Sequence, residues 1–443
     1  MLHGWGGTAP SRAHVVHPGT LEELAAVVAD AGPRGVLVRG AGRSYGDAAQ
    51  NGGGTVLDLS AFSSVRVLDD GDVVAGAGAV LAHLVPVLLR RGRFLPVTPG
   101  TRYVTVGGAV AADVHGKNHH VDSSFGAHVR RLDLLTADGT LRRLCRDGSP
   151  AEQRLLDATL GGMGLTGAVT EVQFGTVPAP TASILVDTHR ADDLDTVMAL
   201  MAEGDDRHRY SVAWVDGTVA GARLGRGVVT FGDHAPEGDG DPRHRTPPPG
   251  EPRVGVPPLP VSPLHRHAVA AFNEAWFRRA PRRRIAEPTP LAPFFYPLDA
   301  VGGWNRLYGP SGFLQYQFAV PDSGAAMVRR TLEQLRALRV PAYLTVLKRF
   351  GPGRDASPLS FPMAGWTLAV DVPARDAALA RALDRLDEQV LEAGGRLYLA
   401  KDSRAVPATI AAGYPQLDRF RAVRRDVDPD GVFVSDLARR LDL

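Results

Sequence analysis

Three short glycine-rich segments, each next to a β-rich run, constrain the fold of this chain more than any other feature of its sequence. They read RGAGRSYGD at residues 39–47, PGTRYVTVGGAVAADVHG at 99–116 and GGMGLTG at 161–167. Glycine adopts positive φ angles and lets backbone N–H groups approach a ligand closely, as an anionic diphosphate requires. Together the segments predict a nucleotide-binding region, although any one of them alone is also consistent with an ordinary tight turn.

The spacing of these glycines argues against a Rossmann dinucleotide fold. Gly162, Gly164 and Gly167 match G-x-G-x-x-G, but they follow a predicted helix and precede a predicted strand, which is the reverse of the required order. The segment at 39–47 follows a strand, yet its glycines miss the fingerprint by one residue. In the second segment, Thr105 can cap a short helix over 106–112, and we expect that helix start to attract the same diphosphate.

The patterns along the chain predict an α+β protein of two domains. The length of 443 residues exceeds what one hydrophobic core usually supports. Between 36 and 174, short β-rich runs are mixed irregularly with helical patterns, which we predict at 20–31, 81–90 and 151–159. The first of these helices begins with Thr20 and Glu23 in the spacing of a capping box.

A second region, from 179 to 394, mixes strands such as FLQYQFAV and YLTVLKRF with long amphipathic helices, predicted at 325–336 and 375–393. A stretch rich in proline and glycine interrupts it at 232–260. That stretch holds too few apolar side chains to offset its ordering entropy, so we expect a mobile loop there. A final strand is expected in RLYLAKDS from residue 396, followed by a polar helix over 434–443.

The amino-acid composition limits which partners this chain is expected to bind. A formal charge of +2 and a pI of about 8.8 give no indication of nucleic-acid binding. The single cysteine, Cys145, excludes an internal disulfide and cysteine-based metal clusters. The sequence shows no signal peptide and no apolar run of the roughly 20 residues that a spanning helix needs, so we expect a cytoplasmic or peripherally membrane-associated protein.

At these motifs the chain resembles a known family. Three segments resemble the PCMH-type FAD-binding domain of the vanillyl-alcohol oxidase superfamily: VRGAGRSYGDAAQNGGG, PGTRYVTVGGAVAADVHGKNHH and GGMGLTG. Four segments resemble, more narrowly, the decaprenylphosphoryl-β-D-ribose 2′-oxidases: HGKNHH, YGPSGFLQYQF, GGRLYLAKDSR and VFVSDLARRL. The resemblance runs from Gly4 almost to the last residue and leaves only the proline-rich loop uncovered.

The resemblance implies an FAD-binding domain at 1–178 and 396–443, with an α+β substrate domain carrying an antiparallel sheet at 179–395. Many superfamily members attach FAD through a histidine where this chain has Arg43, so we expect non-covalent FAD. The residues that the resemblance places along the cofactor are Arg39, Gly40, Gly42, Arg43, Ser44, Tyr45, Gly46, Asp47, Gly100, Thr105, Val106, Gly107, Gly108, Ala112, Asp113, Val114, His115, Val169 and Tyr398.

Oxidation of an alcohol by a flavin also requires side chains that manage protons and charge. The resemblance assigns to Lys401, expected in a strand after Tyr398, a charged contact with both flavin and substrate. His115, expected at the end of the glycine-rich helix, could relay a proton if its pKa is near neutrality. With His119 and His120 nearby, zinc is the rival interpretation, but no carboxylate has suitable helical spacing, so we expect no metal.

We expect Tyr45 to line the sugar pocket. The catalytic candidates are Tyr45, His115 and Lys401. Gln315 and Gln317 alternate along one strand and therefore share a face suited to binding hydroxyl groups. The other residues expected there are Lys348, Phe350 and Trp214. Ordinary core or surface placement is the alternative for each of them.

A basic cluster follows Trp276 and Phe277 and contains Arg278, Arg279, Arg282, Arg283 and Arg284. If the substrate is a polyprenyl phosphate, this aromatic and arginine-rich loop could contact anionic lipid head groups. A solvated loop is the alternative.

The implied reaction is oxidation of the C2 hydroxyl of decaprenylphosphoryl-β-D-ribose to a 2-keto sugar. It would be the first half of an epimerisation that yields the arabinose donor for cell-wall arabinan, with an NADH-dependent keto-reductase as functional partner. Two other functions stay open: an FAD-dependent oxidase of free alditols or aldonolactones, and a non-catalytic anion-binding protein.

Overall fold

Four β-sheets organise the chain in the computed structural model, which describes residues 1–241, 243–244, 252 and 254–443. The strands are β1 His14–Val16, β2 Val36–Arg39, β3 Thr55–Asp58, β4 Val65–Val67, β5 Val73–Gly76, β6 Arg93–Phe94, β7 Val129–Leu135, β8 Leu141–Cys145, β9 Ala168–Phe174, β10 Val177–Pro178, β11 Ser183–Ala191, β12 Tyr210–Val215, β13 Gly227–His234, β14 Arg283–Pro290, β15 Phe313–Val320, β16 Thr345–Phe350, β17 Gly365–Pro373 and β18 Arg396–Leu397.

Helices connect and cover these sheets, which makes the fold α+β as predicted. They are α1 Leu21–Ala29, α2 Leu81–Leu89, α3 Val106–Ala111, α4 His119–Asp122, α5 Pro150–Thr159, α6 Leu194–Gly204, α7 Arg266–Arg279, α8 Leu291–Phe295, α9 Ala326–Ala337, α10 Ala377–Glu392, α11 Pro407–Gly413, α12 Leu417–Val427 and α13 Asp436–Leu441. None of the helices in the described residues combines the length and apolar character that a membrane-spanning segment requires.

The amino-terminal region contains two of the sheets. β1, β3 and β2 form a small parallel sheet, and β4, β5, β9, β7 and β8 form an antiparallel one in that order. The short pair β6 and β10 closes this region at Pro178. Helix α3 packs against β5 and β9, and this contact fixes the position of the glycine-rich segments.

The second region is an antiparallel sheet in the order β14, β11, β13, β12, β16, β17, β15, β18. Register partners in such a sheet point to the same side. One side carries Phe318, Leu368 and Leu347, which are fully buried together with apolar residues of α6, α9 and α10. Because this side is covered by helices, the other side is left for the polar residues described below.

Local sequence signals explain several helix starts. Thr20 accepts a hydrogen bond from the Glu23 backbone and caps α1, as predicted, but the Glu23 carboxylate accepts from Gly19 rather than from Thr20 itself. Thr105 caps α3 by accepting from Gly108. A full capping box starts α5 at Ser149 and Glu152. These starts confirm the predicted helices to within two residues.

Three expectations differ from the structure. The strand expected in RLYLAKDS ends at Leu397, because residues 398–401 turn back on themselves with the Lys401 N–H bonded to the Tyr398 carbonyl. Since β18 pairs with β15, the large sheet extends past the predicted domain boundary at 395. The stretch predicted as a mobile loop at 232–260 begins inside β13, and residues 242, 245–251 and 253 of it lie outside the described residues.

A fourth difference concerns the basic cluster. It is not a loop: Arg278 and Arg279 end α7, and Arg283 and Arg284 begin β14, with only residues 280–282 between the two elements. Phe277 is buried, with the guanidinium of Arg226 4.3 Å from its ring centroid. It therefore contributes nothing to an exposed aromatic surface.

Candidate active site

The three glycine-rich segments meet at α3. A Cβ atom at Gly40 would collide with the Thr105 hydroxyl, so the first segment contacts the helix start directly. From the third segment, the Gly161 and Met163 N–H groups each donate over 2.9 Å to carbonyls of the second segment, at Val110 and Ala111. The three segments that together predict a nucleotide-binding region are therefore adjacent in the fold.

The loop after β2 forms a cradle suited to a diphosphate. Gly42 has φ +63°, and within the described part of the chain the N–H groups of Ala41, Gly42 and Ser44 donate to no protein acceptor. Successive free N–H groups around a left-handed residue form an anion-binding concavity. Around Gly100 and Gly164 no atom lies within 4 Å of where a Cβ would be, so both positions leave room for a bound molecule. These residues fit the FAD that the sequence predicts.

The first N–H groups of α3 already have acceptors within the protein. The N–H groups of Val106 and Gly107 already donate to the carbonyls of Ala79 and Ala77, over 2.9 and 2.8 Å, and the N–H of Gly108 donates to Thr105. These three N–H groups are therefore not free to bind the diphosphate, and the expected attraction of this helix start stays a prediction. Gly107 is required by packing, because a Cβ there would lie 2.9 Å from that of Ala77.

Several residues expected along the cofactor use their side chains to hold the fold. The Arg39 guanidinium donates to the carbonyls of Ala49 and His3. Asp47 forms an ion pair with Arg440 at 2.7 Å. Asp113 is fully buried and accepts from Ser124, Gly126 and Ser360. For these residues only backbone atoms are left to line a nucleotide, and their cofactor role stays a prediction.

Five other residues expected along the cofactor are Gly46, Ala112, Val114, Val169 and Tyr398. Tyr398 donates from its hydroxyl to the Ala112 carbonyl over 3.0 Å. Val114 and Val169 are buried, the latter on β9. A Cβ at Gly46 would collide with the Asp402 carbonyl, which ties the loop after β2 to the turn that carries Lys401.

The open side of the eight-stranded sheet brings the expected sugar-pocket residues together. Gln317, Ala369, Val346 and Trp214 are register partners in a row across four strands, β15, β17, β16 and β12. Lys348 lies two residues from Val346 and Phe350 two further on, so both share this side.

His115 lies at the centre of this side, four residues beyond the end of α3. Its Nδ1 is 3.2 Å from the Lys348 amine, its Nε2 is 3.2 Å from the Gln317 amide, and its ring packs against Phe350. Burial, with the positive charges of Lys348 and Lys401, lowers the pKa of His115 well below 6.5. The expected pKa near neutrality is therefore wrong, and His115 acts as a neutral bridge between two polar side chains.

Lys401 and Tyr45 form the second part of the site. The Lys401 amine lies 3.8 Å from the centroid of the Tyr45 ring, and the Tyr45 hydroxyl accepts from Gln315. Burial lowers the pKa of Lys401 to about 7, against the opposing effect of Asp371, which raises it. Burial also raises the pKa of Tyr45 well above 10, so its hydroxyl keeps its proton. Lys401 can therefore exchange a proton near neutral pH, whereas Tyr45 cannot.

The sequence reasoning missed Asp371. This carboxylate is fully buried on β17, where it accepts from Gln315 over 2.6 Å and from the Tyr308 hydroxyl over 2.8 Å. Burial raises its pKa to about 6. The signal was visible as a lone acidic residue in the apolar strand WTLAVDVP, in register with Gln315.

A second missed signal is the scarcity of lysine. The chain contains three lysines, Lys117, Lys348 and Lys401. Lys117 donates to the Phe294 carbonyl, and burial lowers its pKa to about 7, while burial lowers that of Lys348 to about 8. All three lysines lie at partly buried positions, where removal from water favours the neutral amine.

The histidines that suggested zinc do not converge. His119 is buried against the Phe350 ring, with centroids 4.5 Å apart, and burial lowers its pKa to about 3. The His120 ring bonds to the His208 carbonyl. Among the described residues, no three histidine, cysteine, aspartate or glutamate side chains are grouped as metal ligands would be.

Two protein-family models match this chain. One, described as an FAD binding domain, matches residues 12–144 and so covers the cradle and α3. The other, described as D-arabinono-1,4-lactone oxidase, matches residues 374–441 and covers the turn with Lys401. The matches include both segments that meet around Gly46.

Curated relatives match over nearly the whole length. The chain is 42% identical to a decaprenylphosphoryl-β-D-ribose oxidase of Mycolicibacterium smegmatis, over 100% of this chain and 97% of that one. It is 28% identical to an alditol oxidase of a Streptomyces species, over 99% and 98% of the two chains. An L-gulono-1,4-lactone dehydrogenase of Mycobacterium tuberculosis is 26% identical, over 98% and 96%.

Proposed function

Because the chain belongs to the family of decaprenylphosphoryl-β-D-ribose oxidases, we propose that it oxidises the C2 hydroxyl of a polyprenylphosphoryl ribose to the 2-keto sugar. The cofactor is FAD, in keeping with the match of residues 12–144 to an FAD-binding domain. Oxidation of free alditols or aldonolactones is the second candidate, supported by the relatives at 28% and 26% identity.

One observation carries the proposal: the polar side of the eight-stranded sheet faces the residues that follow the glycine cradle. Gln317 and Lys348 from the sheet reach His115 from the FAD-binding region, and Gln315 reaches Tyr45. A flavin held by the cradle and a sugar held by the sheet would therefore meet at these contacts. The glutamine amides and the Tyr45 hydroxyl are suited to binding sugar hydroxyls.

The flavin, when bound, supplies the hydride acceptor. We assign the hydroxyl proton to Lys401. With a pKa of about 7, a neutral amine is available at physiological pH to accept that proton. The ammonium ion so formed provides positive charge beside the site where negative charge develops. His115, Gln315 and Gln317 orient the sugar, and Phe350 and Trp214 form its apolar walls.

The flavin is proposed to be held without a covalent bond. Arg43, at the position of the attachment histidine in many superfamily members, lies with its guanidinium 4.1 Å from the Trp5 ring centroid and donates to the Tyr103 carbonyl. An arginine has no imidazole to bond to the flavin. Acid precipitation should therefore leave the yellow colour in the supernatant, whereas a fluorescent protein band on a denaturing gel would contradict this assignment.

The 2-keto product requires a reductive partner if the overall reaction is an epimerisation. We propose a separate NADH-dependent keto-reductase, which would return the sugar as the arabinose epimer for cell-wall arabinan. In this proposal residues 1–178 and 398–443 form the FAD-binding domain and 179–397 the substrate domain, since β18 belongs to the large sheet.

We further propose that α7 contacts the membrane in which a polyprenyl substrate is anchored. Phe272 and Trp276 are 61% and 47% exposed and stack on each other one turn apart. Ile285, on the neighbouring β14, is also exposed. The same two elements carry arginines of the basic cluster, Arg278 and Arg279 on α7 and Arg283 and Arg284 on β14. Exposed aromatic and basic side chains together are suited to an anionic lipid surface.

The test is an anaerobic titration of the purified flavoprotein, followed by the flavin absorption spectrum. A prenylphosphoryl ribose should bleach the flavin at stoichiometric amounts, whereas a free alditol and a free aldonolactone should not. Bleaching by the free compounds alone would replace the first candidate by the second. A colourless protein that gains no flavin spectrum on addition of FAD would favour a non-catalytic anion-binding protein.

A further inference from the structure

Asp371 is a buried carboxylate that faces the reacting groups without an ion-pair partner. Among the described residues its carboxylate accepts only from the uncharged side chains of Gln315 and Tyr308, and it forms no ion pair. A buried charge is costly unless it is balanced. Some buried carboxylates of this chain are balanced directly by a cation, as Asp387 is by Arg404 at 2.7 Å.

Lys401 is the cation whose charge acts on the Asp371 carboxylate. Asp371 raises the pKa of Lys401, and Lys401 in turn lowers that of Asp371. Both side chains also converge on Tyr45: Gln315 donates to the Tyr45 hydroxyl and to Asp371, while the Lys401 amine lies over the Tyr45 ring. The carboxylate, the amide, the phenol and the amine thus form one group of neighbouring side chains, of which Asp371 and Tyr45 are buried.

The other charged groups around Lys401 cannot take the place of Asp371. Lys348 is positive and lowers the pKa of Lys401. His115 is neutral because its own pKa is depressed. The neighbouring Asp402 is occupied by Arg440 at 2.9 Å. Asp371 is therefore the carboxylate that supports a positive charge on Lys401.

We propose that Asp371 is a positioning residue for the oxidation, which makes Lys401 basic enough to accept the hydroxyl proton and orients Tyr45 through Gln315. With a bound flavin to take the hydride from C2, the Lys401 amine would accept the proton of the C2 hydroxyl, and Asp371 itself would exchange no proton. This inference rests on the proposed function for the identity of the alcohol, but the ionisation of Lys401 can be measured without any sugar.

The scarcity of lysine makes that measurement direct. Holoprotein grown with lysine labelled with ¹³C at Cε should give signals from three residues, Lys117, Lys348 and Lys401. Lys401→Met removes one signal and assigns it. In Asp371→Asn, the midpoint of the Lys401 titration should fall by about one pH unit, the size expected on losing an opposite charge nearby. The Lys117 signal in the same sample is an internal reference.

Two further variants separate this role from a merely structural one. Tyr308→Phe removes one hydrogen bond to Asp371 and should move the Lys401 midpoint in the same direction by a smaller amount; it also serves if Asp371→Asn does not fold. Asp387→Asn alters a buried carboxylate whose pKa burial likewise raises to about 6, and it should leave the Lys401 midpoint unchanged.

The kinetic readout uses the same proteins with a prenylphosphoryl ribose. The pH at which flavin reduction reaches half its plateau should fall with the Lys401 midpoint in Asp371→Asn, and the plateau itself should be lower. An unchanged Lys401 midpoint in both Asp371→Asn and Tyr308→Phe would overturn the inference. If the Lys401 midpoint shifts in the variants but the sugar does not reduce the flavin of the wild-type protein, the role of Asp371 would be supported and the proposed substrate refuted.

Discussion

Lys401 and His115 lie in the same pocket, yet burial leaves them with different protonation behaviour near neutral pH. Removal from water lowers the pKa of both, because each is charged when protonated. The imidazole starts from 6.5 and becomes neutral at every physiological pH, while the amine starts from 10.5 and reaches about 7. The residue expected from its ordinary pKa to relay a proton is therefore neutral, and we propose that the lysine takes that role.

Substitution of Lys401 tests this assignment. Lys401→Met should keep the fold and the bound flavin but slow substrate-driven flavin reduction by about 10²-fold at pH 8, the usual contribution of a general base. In the wild type the rate should rise with pH through about 7, as Lys401 loses its proton, and the variant should lack this rise. Anaerobic stopped-flow absorbance from pH 5.5 to 9 measures both effects.

The control for this experiment is Lys117→Met, which removes another buried amine with a pKa of about 7. It should retain the rise in rate with pH. An unchanged pH profile in Lys401→Met would show that a different group accepts the proton.

At the scale of elements, the sequence predicted those parts whose signals are local. Thr20, Thr105 and Ser149 each mark a helix start, and the alternation in FLQYQFAV gives both β15 and the shared side of its two glutamines. The turn at Lys401 was not predictable in this way, because YLAKDS has the composition of a strand. Its backbone is fixed by tertiary contacts, such as the bond from the Tyr45 N–H to the Ala400 carbonyl.

The cradle after β2 is the element on which cofactor binding depends, and Gly42→Ala tests it. Alanine at φ +63° costs about 1 kcal/mol, and its Cβ would also collide with the Arg39 guanidinium. The displaced loop should no longer present its N–H groups to the diphosphate. We expect the purified variant to lose most of its flavin, measured as the ratio of visible to ultraviolet absorbance.

Gly92→Ala is the matched control, because Gly92 has φ +66° but no atom within 4 Å of the added Cβ. It should destabilise the protein by a similar ~1 kcal/mol and retain its flavin. Equal flavin content in both alanine variants would refute the assignment of the cradle.

The whole molecule consists of two sheet systems that contribute opposite sides of one site. Composition and length predicted two regions, but not the contacts between Gln317 and His115 or between Gln315 and Tyr45, which join residues about 200 and 270 positions apart. Asp371 was missed for the same reason, since its importance depends on strand order. Periodicity shows which residues share a side of one strand, whereas the order β12, β16, β17, β15 assembles them into a surface.

Membrane contact belongs to this scale as well. Vesicles with anionic phospholipid should bind the wild type at low salt and release it as salt screens the arginines, in a flotation assay. Substitution of Phe272 and Trp276 by aspartate should reduce binding about 10-fold or more. Leu141→Asp, which changes an exposed leucine on β8, should leave binding unchanged. Wild-type protein that stays with the soluble fraction at low salt would refute the contact.

The central claim is that the site removes a hydride from C2 of a lipid-linked ribose. Single-turnover reduction of the flavin by prenylphosphoryl ribose carrying deuterium at C2 tests it most directly. We predict that deuterium at C2 slows flavin reduction several-fold, while deuterium at C1 or C3 leaves the rate nearly unchanged. Full-speed reduction of the flavin by the C2-deuterated sugar, with slowing by deuterium at another carbon, would contradict the account.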